Sequence, residues 1–250
     1  MTAATDVVGA SGSGAAPGAP KSLPARIIGV LVAPRGTYAD VAARPRWLGV
    51  LAFIVILGAA GTFIFLSTDV GRNAMIDQQI ETMRSFGVQM SDAAISRLEQ
   101  GADRGKYFGP IFQAITLPLA GLLISAIAFA VFNAVLGGDA RFKQVFAVVA
   151  HSGVVLCLSQ IFGLPLAYAR EKMTSTTNLA VFAPFLDENS FPARLLGAID
   201  LFLIWWIVSL AIGLGVLYRK RTAPIATTLI VIYVALGVII AAIKTAASGA

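Results

Sequence analysis

The sequence predicts an all-α integral membrane protein: five transmembrane helices, an N-terminal interfacial amphipathic helix and a helical outer loop. Three observations carry that prediction. First, the 250 residues are 57% hydrophobic and only 13% charged, with mean hydropathy +0.81. A soluble domain carries roughly 25% charged residues, and one of this length lacks the interior to hide so much apolar surface. Second, five apolar runs each reach the ~20 residues that a helix needs to cross ~30 Å of hydrocarbon. Third, the basic residues cluster at the ends of those runs, where they read as membrane anchors and topology signals. They do not form a patch interleaved with aromatics. Nucleic acid is therefore set aside as a partner, despite a net charge of +6 and a pI of about 9.8.

Each element follows in order. Residues 1–25 are mostly Ala, Gly, Pro and Ser and read as a disordered tail. They lack the basic start and apolar stretch of a signal peptide, so the N-terminus is expected to stay where it is made. Residues 26–245 are then the five-span membrane domain. Its first part, 26–46, is broken by Pro34 and Pro45, and the apolar piece 27–32 is too short to span. One or two interfacial helices lying along the membrane surface are expected, with Arg26, Arg35, Arg44 and Arg46 reaching lipid headgroups. The apolar runs follow at about 47–66, 110–136, 144–168, 195–218 and 225–243.

A polar loop, 67–109, separates the first two runs. In it Ile76, Ile80 and Met83 recur at helical spacing, and so do Ala94, Ile95 and Leu98. That predicts two short amphipathic helices broken around Gly87, the second N-capped by Ser91. Residues 169–193 contain TSTTN, two prolines and Asp187-Glu188, and read as a loop with at most one short helix.

Charge sets the orientation. With the N-terminus inside, the inner side carries Lys21, Arg26, Arg35, Arg44, Arg46, Arg141, Lys143, Arg219, Lys220 and Arg221 against Asp6, Asp40 and Asp139. The outer loops hold nine basic residues diluted by nine acids outside the apolar runs. Short connectors weigh most in the positive-inside rule. The two shortest, GGDARFK and RKRT, carry five basic residues, which favours N-terminus cytoplasmic and C-terminus outside.

Polar residues inside the runs are the candidate functional or structural sites. Asp200 is the one charge between positions 195 and 212. It reads as a cap or packing fastener, as part of an ion or proton path, or as the sign of a misjudged helix start. His151, the single histidine, is expected to bond locally, and its depth from the inner face disfavours a pair with Asp200. One histidine is too few for a metal site. Asn133, Gln160, Ser125, Ser152 and Ser159 read as interhelical glue, worth about 0.6 kcal/mol each. Trp47 suits an interfacial belt, whereas Trp205 and Trp206 suit bundle packing. Arg219, Lys220 and Arg221 end the fourth run and are further candidate lipid-headgroup contacts. They are fewer than the four to eight residues of the usual lipid-binding cluster. The lone Cys157 forms no intrachain disulfide.

Three stretches together resemble the Yip family, the Ypt/Rab-interacting membrane proteins, in its bacterial branch. They are PRGTY at 34–38 with Pro45, RFKQVFAVVAHS at 141–152, and DLF-x-IW at 200–205 leading to IGL at 212–214. The likeness covers about residues 26–245. It implies a multi-pass protein of the bacterial inner (cytoplasmic) membrane. Eukaryotic members of that family bind lipid-modified small GTPases through a long cytosolic N-terminal region. The short Ala/Gly-rich tail here does not carry that binding over.

Nothing in the sequence assembles a nucleophile with its base, a metal cluster or a phosphate cradle. No enzyme activity, metal or cofactor is therefore expected. The reading favoured is a non-catalytic scaffold or adaptor that organises membrane protein partners or lipids. Its partners would be the lipid bilayer and an unidentified membrane protein or a second copy of the chain. The alternative is a small permease or channel component with a polar path that includes Asp200.

Overall fold

The structure, a computed structural model, describes residues 20–173, 175–187 and 189–248. The expected disordered tail lies outside the described residues up to position 19. Helices dominate. Among the described residues the β pairing is confined to an isolated antiparallel bridge between Asn178 and Asp200.

The chain opens with a helical hairpin, α1 (Leu23–Val32) and α2 (Pro34–Ala43). Ser22 caps α1 by accepting from the Ala25 amide, and Pro34 starts α2 where a missing N–H costs nothing. The hairpin does not merely lie on a membrane surface. Thr37, Tyr38 and Val41 are fully buried, because α2 is inserted against α6 (Phe142–Ser152) and α9 (Leu201–Leu217). One small position makes room. A Cβ on Gly213 would stand 2.5 Å from Val148 and 3.0 Å from the Tyr38 ring, so only glycine lets α9 approach both.

Among the described residues four helical stretches are long and apolar enough to cross a membrane. The first is α3 (Leu48–Leu66). The second, Asp92–Val135, combines α5 (Asp92–Phe129) with a π-helical end (Ala130–Val135). The third is Phe142–Arg170, in which α6 and α7 (Val154–Arg170) meet at Gly153. The fourth is Thr222–Ala247, within α10 (Thr222–Ser248).

The expected run at 195–218 is split. The short helix α8 (Phe191–Ala198) stops, two residues run extended, and the 17-residue α9 begins after Asp200. At 1.5 Å per residue α9 is about 25 Å long. It is also the central helix, with Ser209, Leu210, Ala211, Gly213 and Leu214 buried.

The 67–109 loop is helical, as its spacing predicts, but its second helix does not end. α4 (Asp69–Ser85) is followed by a turn at Gly87, whose φ is 76°. Ser91 then caps α5 through the Ala94 amide. From there α5 runs through the polar segment into the apolar one, past Pro110 and Pro118. Sequence reading separates these parts because the apolar pattern changes at Pro110. Each proline removes one helical N–H, and the helix continues past both.

Candidate functional site

Asp200 is the N-cap of α9, and this settles what the lone carboxylate is bonded to. One oxygen accepts from the Phe202 and Leu203 amides at 2.8 and 3.2 Å. The other accepts from the Ser175 and Thr177 hydroxyls at 2.5 and 2.6 Å. Its own amide donates to the Tyr233 hydroxyl, which in turn donates to the Ala198 carbonyl. The residue therefore joins α9, the 175–179 segment and α10. Burial pushes its carboxyl up. The hydrogen bonds from Ser175, Thr177 and the two amides outweigh that and hold it below the ordinary carboxylate value. The expected helix start at 195 was too early, and Asp200 sits at an end rather than inside a span.

At the other end of the bundle the hairpin carries a buried ion pair. Arg26 is 2% exposed, and its Nε donates to Asp40 at 2.8 Å. Its terminal nitrogen donates to the Arg44 carbonyl at 3.2 Å, and the Arg44 guanidinium stands 3.5 Å from Asp40. So enclosed, Arg26 does not face a lipid phosphate, contrary to the expectation from its place in the sequence. Its spacing to Asp40 crosses the α1–α2 turn, which a one-helix reading does not pair. Arg35, Arg46, Arg219, Lys220 and Arg221 are exposed, and Arg44 is half-buried. Beside this pair the Tyr38 hydroxyl meets Ser209 at 2.7 Å, pinning α2 to α9.

His151 is fully buried, with Nδ1 2.7 Å from the Ala147 carbonyl. A carbonyl only accepts, so Nδ1 carries the proton. Among the described residues its Nε2 has no partner. Asn133 bridges two connectors, donating to the Ala140 carbonyl and accepting from Tyr218. Trp206 donates to Ser152 at 3.0 Å, which ties α9 to α6. Trp47 packs edge-on against Phe146.

A second polar cluster lies between α3, α5 and α7. Thr62 donates to Gln113 at 2.6 Å, and Gln160 donates to the Gly58 carbonyl and to Thr62. Gln113 and Thr62 were not singled out by sequence reading. A glutamine three residues into an apolar run was the available signal. Gln113 and Gln160, with Ser159, Cys157 and Asp200, stand on the wall of a cavity of about 390 Å³. Among the described residues no group of three or more His, Cys, Asp or Glu side chains could hold a metal ion.

Comparison with known proteins gives one match. A family model described as the Yip1 domain matches residues 28–243, which runs from α1 almost to the end of α10. No curated protein and no solved structure matches.

Proposed function

The chain belongs to the Yip1 domain family, and from that premise we propose that it is a non-catalytic membrane scaffold or adaptor that gathers membrane protein partners or lipids. The observation that carries this reading is the use made of Asp200. Its carboxylate accepts four hydrogen bonds that close one end of the bundle. A carboxylate so occupied fastens helices, and a transported ion would have to break that fastening. The proposal extends to location: a bacterial cytoplasmic membrane, N-terminus inside and C-terminus outside. Arg35, Arg44, Arg46, Arg219, Lys220 and Arg221 then face the anionic inner surface.

The deciding experiment compares Asp200→Asn with the parent chain in two assays. A scaffold loses protein level or partner recovery in the variant, and reconstituted vesicles show no flux with either chain. Flux in vesicles that disappears in the variant would overturn the proposal. The cavity of about 390 Å³ with Asp200 on its wall is what favours that second reading, a small permease or channel component. Orientation is checked by labelling single cysteines at Gly36 and Phe185 in a Cys157→Ser background. Access to position 36 from outside intact cells would reverse it.

A further inference from the structure

The α4–α5 hairpin leaves a groove of about 650 Å³ between its helices. Along α5 the lining runs from Arg97 to Ile115, a distance of ~27 Å at 1.5 Å per residue. Its character changes along that length. The lower part is Phe108, Ile111, Phe112 and Ile115, of which Phe108 is 65% and Phe112 70% exposed. Ile111, Phe112 and Ile115 belong to the apolar part of α5 and Phe108 stands at its edge, which puts this floor against hydrocarbon if the stretch spans. Tyr107, with the Lys106 ammonium 5.3 Å from its ring, marks the interface level, where amphipathic rings and long cations gather.

The upper part is basic. Arg104 is one turn above Phe108, about 6 Å towards water, which is phosphate height. Arg97 is two turns further on the same face. Both arginines are exposed, and among the described residues neither has an ion pair or a hydrogen bond. Among the described residues no acid lines the groove. The nearby Asp103 instead stands 3.6 Å from Arg72, on α4. An apolar floor at hydrocarbon depth beneath unpaired guanidiniums suits a ligand with both an acyl chain and an anion. A soluble acidic peptide would leave the floor unused, because that floor lies inside the bilayer.

We propose that the groove binds an anionic phospholipid, its acyl chain on Phe108, Ile111, Phe112 and Ile115 and its phosphate diester on Arg104 and Arg97. Guanidinium and phosphate match in a bidentate, charge-assisted geometry, which makes arginine the fitting residue here. The site lies at the opposite end of the bundle from the basic residues of the N-terminal hairpin and the 219–221 connector. It is independent of whether the protein acts as a scaffold.

The test uses the full chain, delipidated in detergent and titrated with phosphatidylglycerol or phosphatidylcholine of identical acyl chains. Native mass spectrometry counts the bound lipid. Phosphatidylglycerol should bind the more tightly. The Arg97→Gln/Arg104→Gln double variant should weaken it by roughly 25-fold, about fivefold for each basic side chain at a membrane surface, and leave phosphatidylcholine unchanged. A second variant probes the space without touching charge. Gly101 lines the groove, and a Cβ there meets nothing within 4 Å, so Gly101→Leu is tolerated by the fold and should weaken both lipids. An Arg219→Gln/Lys220→Gln/Arg221→Gln control should leave the arginine-dependent binding intact.

Equal affinity for the two lipids, or no response to the double variant, would overturn the proposal. So would displacement of phosphatidylglycerol by glycerophosphate at equal concentration, since the apolar floor would then contribute nothing. Dissociation of a dimer by these variants with lipid binding unchanged would make the groove a protein interface instead.

Discussion

The two ends of the bundle carry similar sequence and do opposite things with it. Each has a helical hairpin with scattered arginines beside an apolar run, α1 with α2 at one end and α4 with the polar start of α5 at the other. At one end α1 and α2 are folded into the bundle, with Thr37, Tyr38 and Val41 buried and Arg26 paired to Asp40. At the other, α4 and the start of α5 stand out, and Arg72 pairs with the exposed Asp69 and Asp103. The difference lies in what the helices meet. α2 finds Gly213 and Ser209 on α9, which let a tyrosine ring in and satisfy its hydroxyl. The α4–α5 hairpin finds no such pocket, and α4 packs only on α3, α5 and the end of α10 among the larger contacts. Amphipathic spacing thus predicts a helix with a hidden face, and the facing helix decides how much of it is hidden.

The comparison breaks most sharply at the ion pairs. Asp40→Ala leaves Arg26 buried without its carboxylate, and loss of one partner of a buried pair costs about 3–5 kcal/mol. Asp103→Ala removes a partner that is 82% exposed, worth at most ~1 kcal/mol. Thermal unfolding in detergent reads both. Equal shifts in Tm would show that the hairpin ends do not differ as described.

Glycine substitutions sharpen it next, because they should have opposite signs. Gly213→Ala places a methyl 2.5 Å from Val148, and such overpacking costs about 1–3 kcal/mol. Gly101→Ala meets nothing within 4 Å and gains about 1 kcal/mol of helix propensity. A drop in Tm for the first and a rise for the second is the expected pattern.

Asp200 gives a smaller, pH-dependent effect at the end of the bundle away from the α1–α2 hairpin. Asp200→Ala removes a helix cap, a loss of roughly 1–2 kcal/mol. The folded carboxyl titrates below its unfolded value. Its contribution is therefore complete above the ordinary carboxylate pKa of ~3.9 and disappears as pH falls through the lower folded value. The Tm gap between parent and variant should hold from neutral pH to about 5 and then close on further acidification. A gap that widened in acid would reverse the sign of the argument. Least of all, Gln160→Ala should cost about 0.6 kcal/mol, the average for one polar contact between membrane helices.

Much of this architecture was legible because hydrocarbon imposes length. The α3 and α10 runs, the Gly87 turn and the Ser91 cap are where the apolar pattern and the capping residues place them. The family was legible too, through PRGTY, the 141–152 stretch and the 200–205 stretch. What escaped depends on partners far away in the chain. Asp200 looked internal because Ile199 and its neighbours are as apolar as a span, and the extended break there is made by pairing with Thr177 and Leu179. Arg26 looked superficial because its acid belongs to the next helix. Gln113 gained a role only when Thr62 and Gln160 came to face it. Sequence spacing reports one helix at a time, and these contacts are between helices.

One consequence belongs to α5. With its π-helical end it is an unbroken 44-residue rod, some 66 Å at 1.5 Å per residue, longer than the 40–45 Å of a bilayer with its headgroups. Its N-terminal end leans on α4, and its C-terminal end reaches the Asn133 junction with Tyr218 and Ala140. One helix thus joins the contacts at both ends of the bundle, so a partner that tilted its N-terminal end would also bear on the junction at the other.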